Sequence, residues 1–255
     1  MTLPPIDTVV FDLDGVLYRG EVAVPGVAEV IKGLMDAGRT VLFATNNSTT
    51  TEEGIAESIR RRTGLRIDPR TVVTSGVATA RALAGTVTAA YVIGGEGLPV
   101  VLEREGVAVT RKWQEADVVV VGLDRNISYE KLTDATYAVR AGARLVATNH
   151  DPTFPTAQGL APGAGSLVAA LERATGQTAE VMGKPQATFG AVVSALSVGS
   201  IAVVGDRIDS DMALARSHGW VAILVLTGVT TETEAETADV DCVLASAAEL
   251  GAVLV

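Results

Sequence analysis

Cysteine is nearly absent. Cys242 stands alone in 255 residues, which excludes an internal disulfide framework and fits a reducing cytosol. Histidine is almost as scarce, with two residues, and neither His-Glu-x-x-His nor paired-cysteine zinc spacing occurs. Positive charge is the minority sign, 20 Lys and Arg against 30 Asp and Glu, for a formal net charge of −10. No basic stripe exists beyond Arg60-Arg61-Arg62, a run that suits the solvated face or end of a helix, so nucleic acid is excluded as a partner. No apolar run nears the ~18 residues that cross a bilayer, so no membrane partner is expected. The first eight residues carry neither the basic head nor the apolar stretch of a secretion signal, and a cytoplasmic location is expected. A P-loop is missing too. Gly95-Glu96-Gly97 and Gly163-Ala164-Gly165 each lack the third glycine of a dinucleotide fingerprint.

What is present is a chain 48% hydrophobic, long enough to bury a core as one large domain or two modest ones. Short apolar runs alternate with amphipathic stretches from end to end, the pattern of an α/β fold with a mostly parallel sheet. The runs at 8–11, 40–44, 71–74, 90–93, 118–121, 144–147, 201–204 and 221–225 read as strands. Most are continuous Val, Ile and Leu without alternation, so both faces should be covered. Helical patterns fall at 27–37, 50–62, 128–141 and 186–196, the first and third ending at Gly38 and Gly142. No linker or low-complexity segment divides the chain. One internal echo links Ala37-Gly38…Thr45-Asn46 to Ala141-Gly142…Thr148-Asn149, two helix-to-strand units of similar build.

In open α/β sheets ligands bind beyond the carboxyl ends of the strands, and three apolar runs end there in polar residues. The first runs into Asp12-Leu13-Asp14-Gly15, the second into Thr45-Asn46-Asn47-Ser48, the third into Gly205-Asp206-Arg207-Ile208-Asp209-Ser210-Asp211. Each has a local reading. Asp-Gly marks a turn, Asp209 and Asp211 cap a helix, and Ser48 or Thr49 caps the helix at 50–62. Several aspartates on one sheet edge would repel unless a cation sat among them, and Mg²⁺ accepts such carboxylates together with water and phosphate. Thr45 and the backbone N–H groups after it suit a phosphate oxygen. Lys184, in Gly183-Lys184-Pro185, delivers an ammonium at a helix start, with Pro185 fitting the first helical position.

Taken together, these residues resemble the haloacid dehalogenase-like phosphatases over essentially the whole chain. The first signature stands as Asp12-Leu13-Asp14-Gly15-Val16, the second as Thr45 followed by Asn46, the third as Lys184, and the fourth as the segment from Gly205 to Asp211. Any one is weak; four in order, each after an apolar run, are specific. About a hundred residues separate the second signature from the third. That spacing resembles the branch with a large α/β cap, which includes 4-nitrophenyl phosphatases, phosphoglycolate phosphatases and NagD-like nucleotidases. Thr148-Asn149-His150-Asp151-Pro152 and Pro162-Gly163-Ala164-Gly165-Ser166 are close to that branch's cap phrases.

The resemblance implies a Rossmann-like, doubly wound core at 1–80 and 178–255, with a smaller cap inserted at 81–177. It implies hydrolysis of small phosphorylated metabolites, with Asp12 as nucleophile and Asp14 as general acid and base. Mg²⁺ would be held by Asp12, the Asp14 backbone carbonyl and Asp206, with Asp211 nearby. Thr45, Asn46 and Lys184 would bind the phosphate, and Thr148 would belong to the cap. His150, Asp151 and Phe154 are candidates for choosing the leaving group, against the local reading that they only shape a loop. Asp209 falls at the variable position of its signature and is left out, and His218 reads as a structural helix-end residue. Family members commonly form homodimers through the cap. A non-catalytic phosphometabolite binder and a phosphomutase are the competing expectations. The Asp12–Asp14 pair argues against the first.

Overall fold

The apolar runs form strands: Thr8–Phe11, Thr40–Thr45, Val72–Thr74, Ala89–Ile93, Val118–Val121, Arg144–Ala147, Ile201–Gly205 and Val221–Val225. They are seen in a computed structural model that describes residues 3–156 and 158–254. Contacts divide the chain into two units. The first comprises the chain up to Thr45, Glu52–Val73 and the chain from Gly190 on; the second comprises Asn46–Thr51 and Thr74–Phe189.

In the first unit a six-stranded sheet runs in the order Cys242–Leu244, Val221–Val225, Ile201–Gly205, Thr8–Phe11, Thr40–Thr45, Val72–Thr74. Pairing is parallel from the first of these to Thr40–Thr45. The earliest strand lies mid-sheet, with late strands on one side and early ones on the other. The order therefore reverses at its carboxyl end, the place where such sheets bind ligands. Val9, Val10 and Phe11 are fully buried, as a strand covered on both faces requires. Phe11 pairs in register with Phe43 and Val204, and the two phenyl rings lie 6.4 Å apart. The helix Val27–Asp36 buries Val27, Ile31 and Leu34, spaced to share one helical face, against this core.

The second unit carries five parallel strands in the order Glu180–Val181, Arg144–Ala147, Val118–Val121, Ala89–Ile93, Ala108–Thr110. Its core gathers Ile93, Val119, Val121, Val139, Val168 and Leu171. Ser128 caps the helix Tyr129–Arg140 by accepting the Lys131 N–H at 3.2 Å. An antiparallel hairpin joins Thr153–Thr156 to Gly159–Pro162.

The second unit contains the whole of the expected insertion at 81–177 and groups further segments with it. The helix Ser75–Leu83 packs on Gly97–Arg104, and the Gly97 N–H donates to Thr49 O at 3.0 Å. These contacts draw 46–51 and 74–80 into the second unit. At the other edge the Lys184 segment joins it through Asn46, so the unit continues to Phe189. Two local expectations also shift. The helix expected from residue 50 starts at Glu52, because the Ser48 hydroxyl pairs with Thr148 Oγ1 at 3.0 Å and Thr49 turns onto Asn47. The helix after Lys184, expected at 186–196, starts at Ala187 and leaves Pro185 outside its first position.

Candidate active site

Asp12 continues the mid-sheet strand by one residue, its N–H donating to Val204 O at 2.9 Å. Asp206 directly follows the neighbouring strand, and Asp211 sits in the single π-helical turn Ile208–Met212, where its Oδ2 accepts the Arg207 N–H at 3.2 Å. One carboxylate oxygen from each of Asp12, Asp206 and Asp211 lies within 4.8 Å of the other two. The three residues are 9%, 1% and 1% exposed. Burying three like charges so closely is costly without a counter-charge.

The surroundings fit a small hard cation. A β-carbon at Gly15 would come within 2.5 Å of Asp206 Oδ2, and one at Gly205 or Gly228 would collide with the carboxyls of Asp211 or Asp206. Glycine at these three positions keeps the carboxylates together, and Gly15 also holds a φ of 89° that glycine tolerates. A donor set made wholly of carboxylate oxygens suits Mg²⁺ or Ca²⁺ rather than a softer metal. Asp209 takes no part. Its carboxylate pairs with Arg207 at 2.9 Å and is 72% exposed.

A loop that sequence reasoning missed fastens this cluster. After the strand Val221–Val225, the Val229 N–H donates to Asp206 Oδ2 at 2.7 Å and the Thr230 hydroxyl donates to Asp206 O at 2.6 Å. The Thr227 hydroxyl donates to Gly15 O at 2.6 Å, and the Arg19 guanidinium donates to Thr227 O. The available signal was a fourth apolar run ending in Thr227-Gly228-Val229-Thr230, the same grammar as the other strand ends. Asp14 is exposed in the loop leading to Tyr18, closed by a 2.8 Å bond from the Gly15 N–H to Tyr18 O. Burial, then the nearby charge of Asp14, pushes the Tyr18 phenol above its ordinary range, so it stays protonated. Thr45 ends its strand and is 5% exposed.

In the second unit Asn46, Asp151 and Lys184 come together. Asn46 Oδ1 accepts the Lys184 N–H at 2.8 Å, and its Nδ2 donates to Asp151 Oδ2 at 3.3 Å. Lys184 is 5% exposed, a rare burial for lysine. Asn149, also missed, donates from Nδ2 to Asn46 O at 2.7 Å. The other two candidates have different neighbours: His150 lies 3.9 Å from Glu172, and Phe154 lies beneath Arg125, 5.3 Å from the guanidinium to the ring. His218 is structural, bonded to Leu214 O at 3.0 Å and stacked on Trp220.

The family described as haloacid dehalogenase-like hydrolase matches residues 9–108, and a second, described as HAD-hydrolase-like, matches 181–255. An acid sugar phosphatase of Staphylococcus haemolyticus is 37% identical over 235 residues, which are 89% of this chain and 88% of the relative. The chain belongs to the haloacid dehalogenase-like hydrolases. Among solved members of that fold, a hypothetical protein from Pyrococcus horikoshii superposes with a TM-score of 0.93 at 39% identity, covering 98% of this chain and 100% of its own. The 4-nitrophenylphosphatase of Thermotoga maritima gives 0.91 at 32%, covering 98% of each. The glycerol phosphate phosphatase of Mycobacterium tuberculosis in complex with magnesium gives 0.86 at 34%, covering 92% of this chain and 71% of its own. The haloacid dehalogenase-like match begins at Val9 and so takes in the Asp12 strand end from its start.

Proposed function

We propose that this protein is a Mg²⁺-dependent phosphatase that hydrolyses phosphomonoesters of small metabolites through an aspartyl-phosphate on Asp12. The observation that carries the reading is the buried trio of Asp12, Asp206 and Asp211, gathered at the sheet edge where the strand order reverses. Those three carboxylates and the Asp14 backbone carbonyl would hold Mg²⁺, which would supply a counter-charge to them and Lewis-acid polarisation of the phosphoryl group.

An Asp12 carboxylate oxygen attacks phosphorus in line, forming an O–P bond as the ester P–O bond breaks, so one hard step becomes two easier ones. Asp14 in its protonated form gives its proton to the departing alkoxide. As a carboxylate it then takes a proton from water, whose oxygen attacks phosphorus, breaks the Asp12–phosphorus bond and releases inorganic phosphate. The exposure of Asp14 suits a group that exchanges protons with both substrate and water. Thr45, the N–H groups after it and Lys184 stabilise the equatorial oxygens, the dominant contribution in phosphoryl transfer. Their assignment rests on the match of these positions to the family's second and third signatures.

The relatives named as acid sugar phosphatase and glycerol phosphate phosphatase support sugar and glycerol phosphates as first substrates. The insertion at 81–177 takes the part of the cap, and His150, Asp151 and Phe154 are its candidates for choosing the leaving group. A cytoplasmic enzyme, homodimeric through that cap, completes the reading; the single cysteine and the exposed Tyr129 and Tyr137 on one helix are consistent with it.

The test is inorganic phosphate release from a panel of glycerol phosphate, sugar phosphates, phosphoglycolate, a nucleotide and 4-nitrophenyl phosphate, with Mg²⁺ and with chelator. Metal-dependent release is expected. Tight binding without release would establish a binder, and isomerised phosphoester without free phosphate would establish a mutase. Sedimentation velocity decides the dimer.

A further inference from the structure

Lysine is flexible, and a buried lysine useful to an anion has to be held at its backbone, because its four-carbon stem is not self-supporting. The main chain of Lys184 is gripped from both sides by one side chain. Asn46 Oδ1 accepts the Lys184 N–H at 2.8 Å, and Asn46 Nδ2 reaches Lys184 O at 3.4 Å. The same Nδ2 donates to the Asp151 carboxylate, at 3.3 Å to Oδ2 and 3.5 Å to Oδ1. The orientation of the amide follows from chemistry. The lysine N–H can only donate and the ionised carboxylate can only accept, so the amide has one satisfactory setting.

Asn46 is itself anchored. Its carbonyl accepts from Ser75 Oγ at 2.6 Å and from Asn149 Nδ2 at 2.7 Å, while Asn149 Oδ1 accepts the Asp151 N–H at 3.1 Å. Asn149 thus fixes the spacing between Asn46 and Asp151. Gly183 is required for the fit, because a β-carbon there would come within 2.6 Å of Asn46 Oδ1. Both ends of the Asn46 amide are therefore spent inside the protein.

We propose that the Asn46 side chain, oriented by Asp151, positions Lys184 and is not itself a phosphate ligand. This changes the part given to Asn46 by resemblance and gives Asp151 a task other than touching the leaving group. It rests on the reading that Lys184 binds the transferred phosphoryl group. Asn46 acts through Lys184, so displacing the clamp weakens every state in which the ammonium faces an oxyanion, the transition state most of all.

The experiment exchanges the two polarities. Wild type, N46D, D151N, N46D/D151N and K184M are compared for kcat/KM on 4-nitrophenyl phosphate, inhibition by inorganic phosphate and by vanadate, and thermal midpoint. N46D sets two carboxylates against each other and should lower kcat/KM by about 100-fold, the cost of a misplaced group. D151N keeps an acceptor and should lose less than about 10-fold. In N46D/D151N the new amide donates to the new carboxylate, and activity and vanadate affinity should return to within about 10-fold of wild type.

If Asn46 touched phosphate directly, a carboxylate there would repel the substrate whatever stood at 151. Absence of rescue in the double variant, with K184M inactive, therefore overturns the clamp. A K184M enzyme of normal activity and vanadate affinity would instead overturn the reading of Lys184. Should N46D not fold, N46A, D151A and their double replace it: non-additive losses are expected, and additive ones overturn the proposal.

Discussion

Asp206 Oδ2 accepts a 2.7 Å hydrogen bond from the backbone N–H of Val229, and the residue before that donor, Gly228, lies against the same carboxyl group. The carboxylate is aimed by a backbone amide that only close main-chain approach can deliver. We expect Gly228→Ala to push the Asp206 carboxyl out of the acidic trio, because the new methyl would occupy its place. The loss in kcat/KM should be at least about 100-fold, with a weaker Mg²⁺ requirement curve and little change in far-UV circular dichroism. Gly33→Ala is the control. It lies in the helix Val27–Asp36 with nothing within 4 Å of a β-carbon, and should stabilise by roughly 0.5–1 kcal/mol. Normal activity in Gly228→Ala would show that the loop does not hold Asp206.

Three buried carboxylates with one cation should also make the ion a folding ligand. An ion that binds only the native state, at 100 times its Kd, adds about 2.7 kcal/mol, worth roughly 5–10 °C in thermal midpoint. We expect Mg²⁺ to raise the midpoint of the wild type and to leave Asp206→Asn nearly unmoved. Excess chelator should stop turnover, and Mg²⁺ should restore it. Full activity in chelator would remove the metal from the reading.

Replacing Asp12 with Asn keeps the volume and the strand-end backbone bond to Val204 but removes the oxyanion proposed to attack phosphorus. We expect turnover to fall by at least about 10³-fold, as when a nucleophile is deleted, while the unfolding midpoint stays within a few degrees of wild type. Rapid-quench trapping of a phosphorylated protein in the wild type, and none in Asp12→Asn, would establish the covalent step. Near-normal turnover would eliminate it.

How much of this was legible in the sequence depends on the distance over which each feature is determined. Val9-Val10-Phe11 followed by Asp12 is a local pattern. A continuous apolar run must be covered on both faces, so its strand and the place where it ends could be read directly, as could Ile201–Gly205 with Asp206. The acidic trio then needed only the sheet order. Asn46 shows the opposite case. Its partners lie 105 and 138 residues away, and nothing in Thr45-Asn46-Asn47 distinguishes an amide facing a ligand from one facing Lys184. The grouping of Asn46–Thr51 with the second unit was illegible for the same reason, since it rests on tertiary contacts and not on any change in composition. Strands as short as Ala108–Thr110 and Glu180–Val181 carry too few residues for a periodicity to show.

Asp117 makes the second unit sensitive to acid in a way that can be isolated. It stands just before Val118–Val121, and its carboxylate accepts the N–H groups of Thr88 at 2.7 Å and Ala89 at 3.0 Å, fixing the start of the neighbouring strand. Partial burial pushes its carboxyl upward, but its hydrogen bonds together, those from the Thr88 and Ala89 N–H groups foremost, outweigh this and hold it below the ordinary 3.8. A carboxyl lowered on folding stabilises the native state at every pH above its unfolded value. That contribution fades as the pH falls through the lower, folded value. Asp117→Asn puts an amide where two acceptors are needed, so one N–H loses its partner. At pH 7 the cost should be about 1 kcal/mol or less, since the group is largely exposed. Urea unfolding of both proteins between pH 7 and pH 3 should show that difference shrinking as the pH drops below 3.8, because only the wild type has this carboxylate to lose. A difference that stayed constant across the range would mean that the Asp117 charge contributes nothing and the bonds act through shape alone.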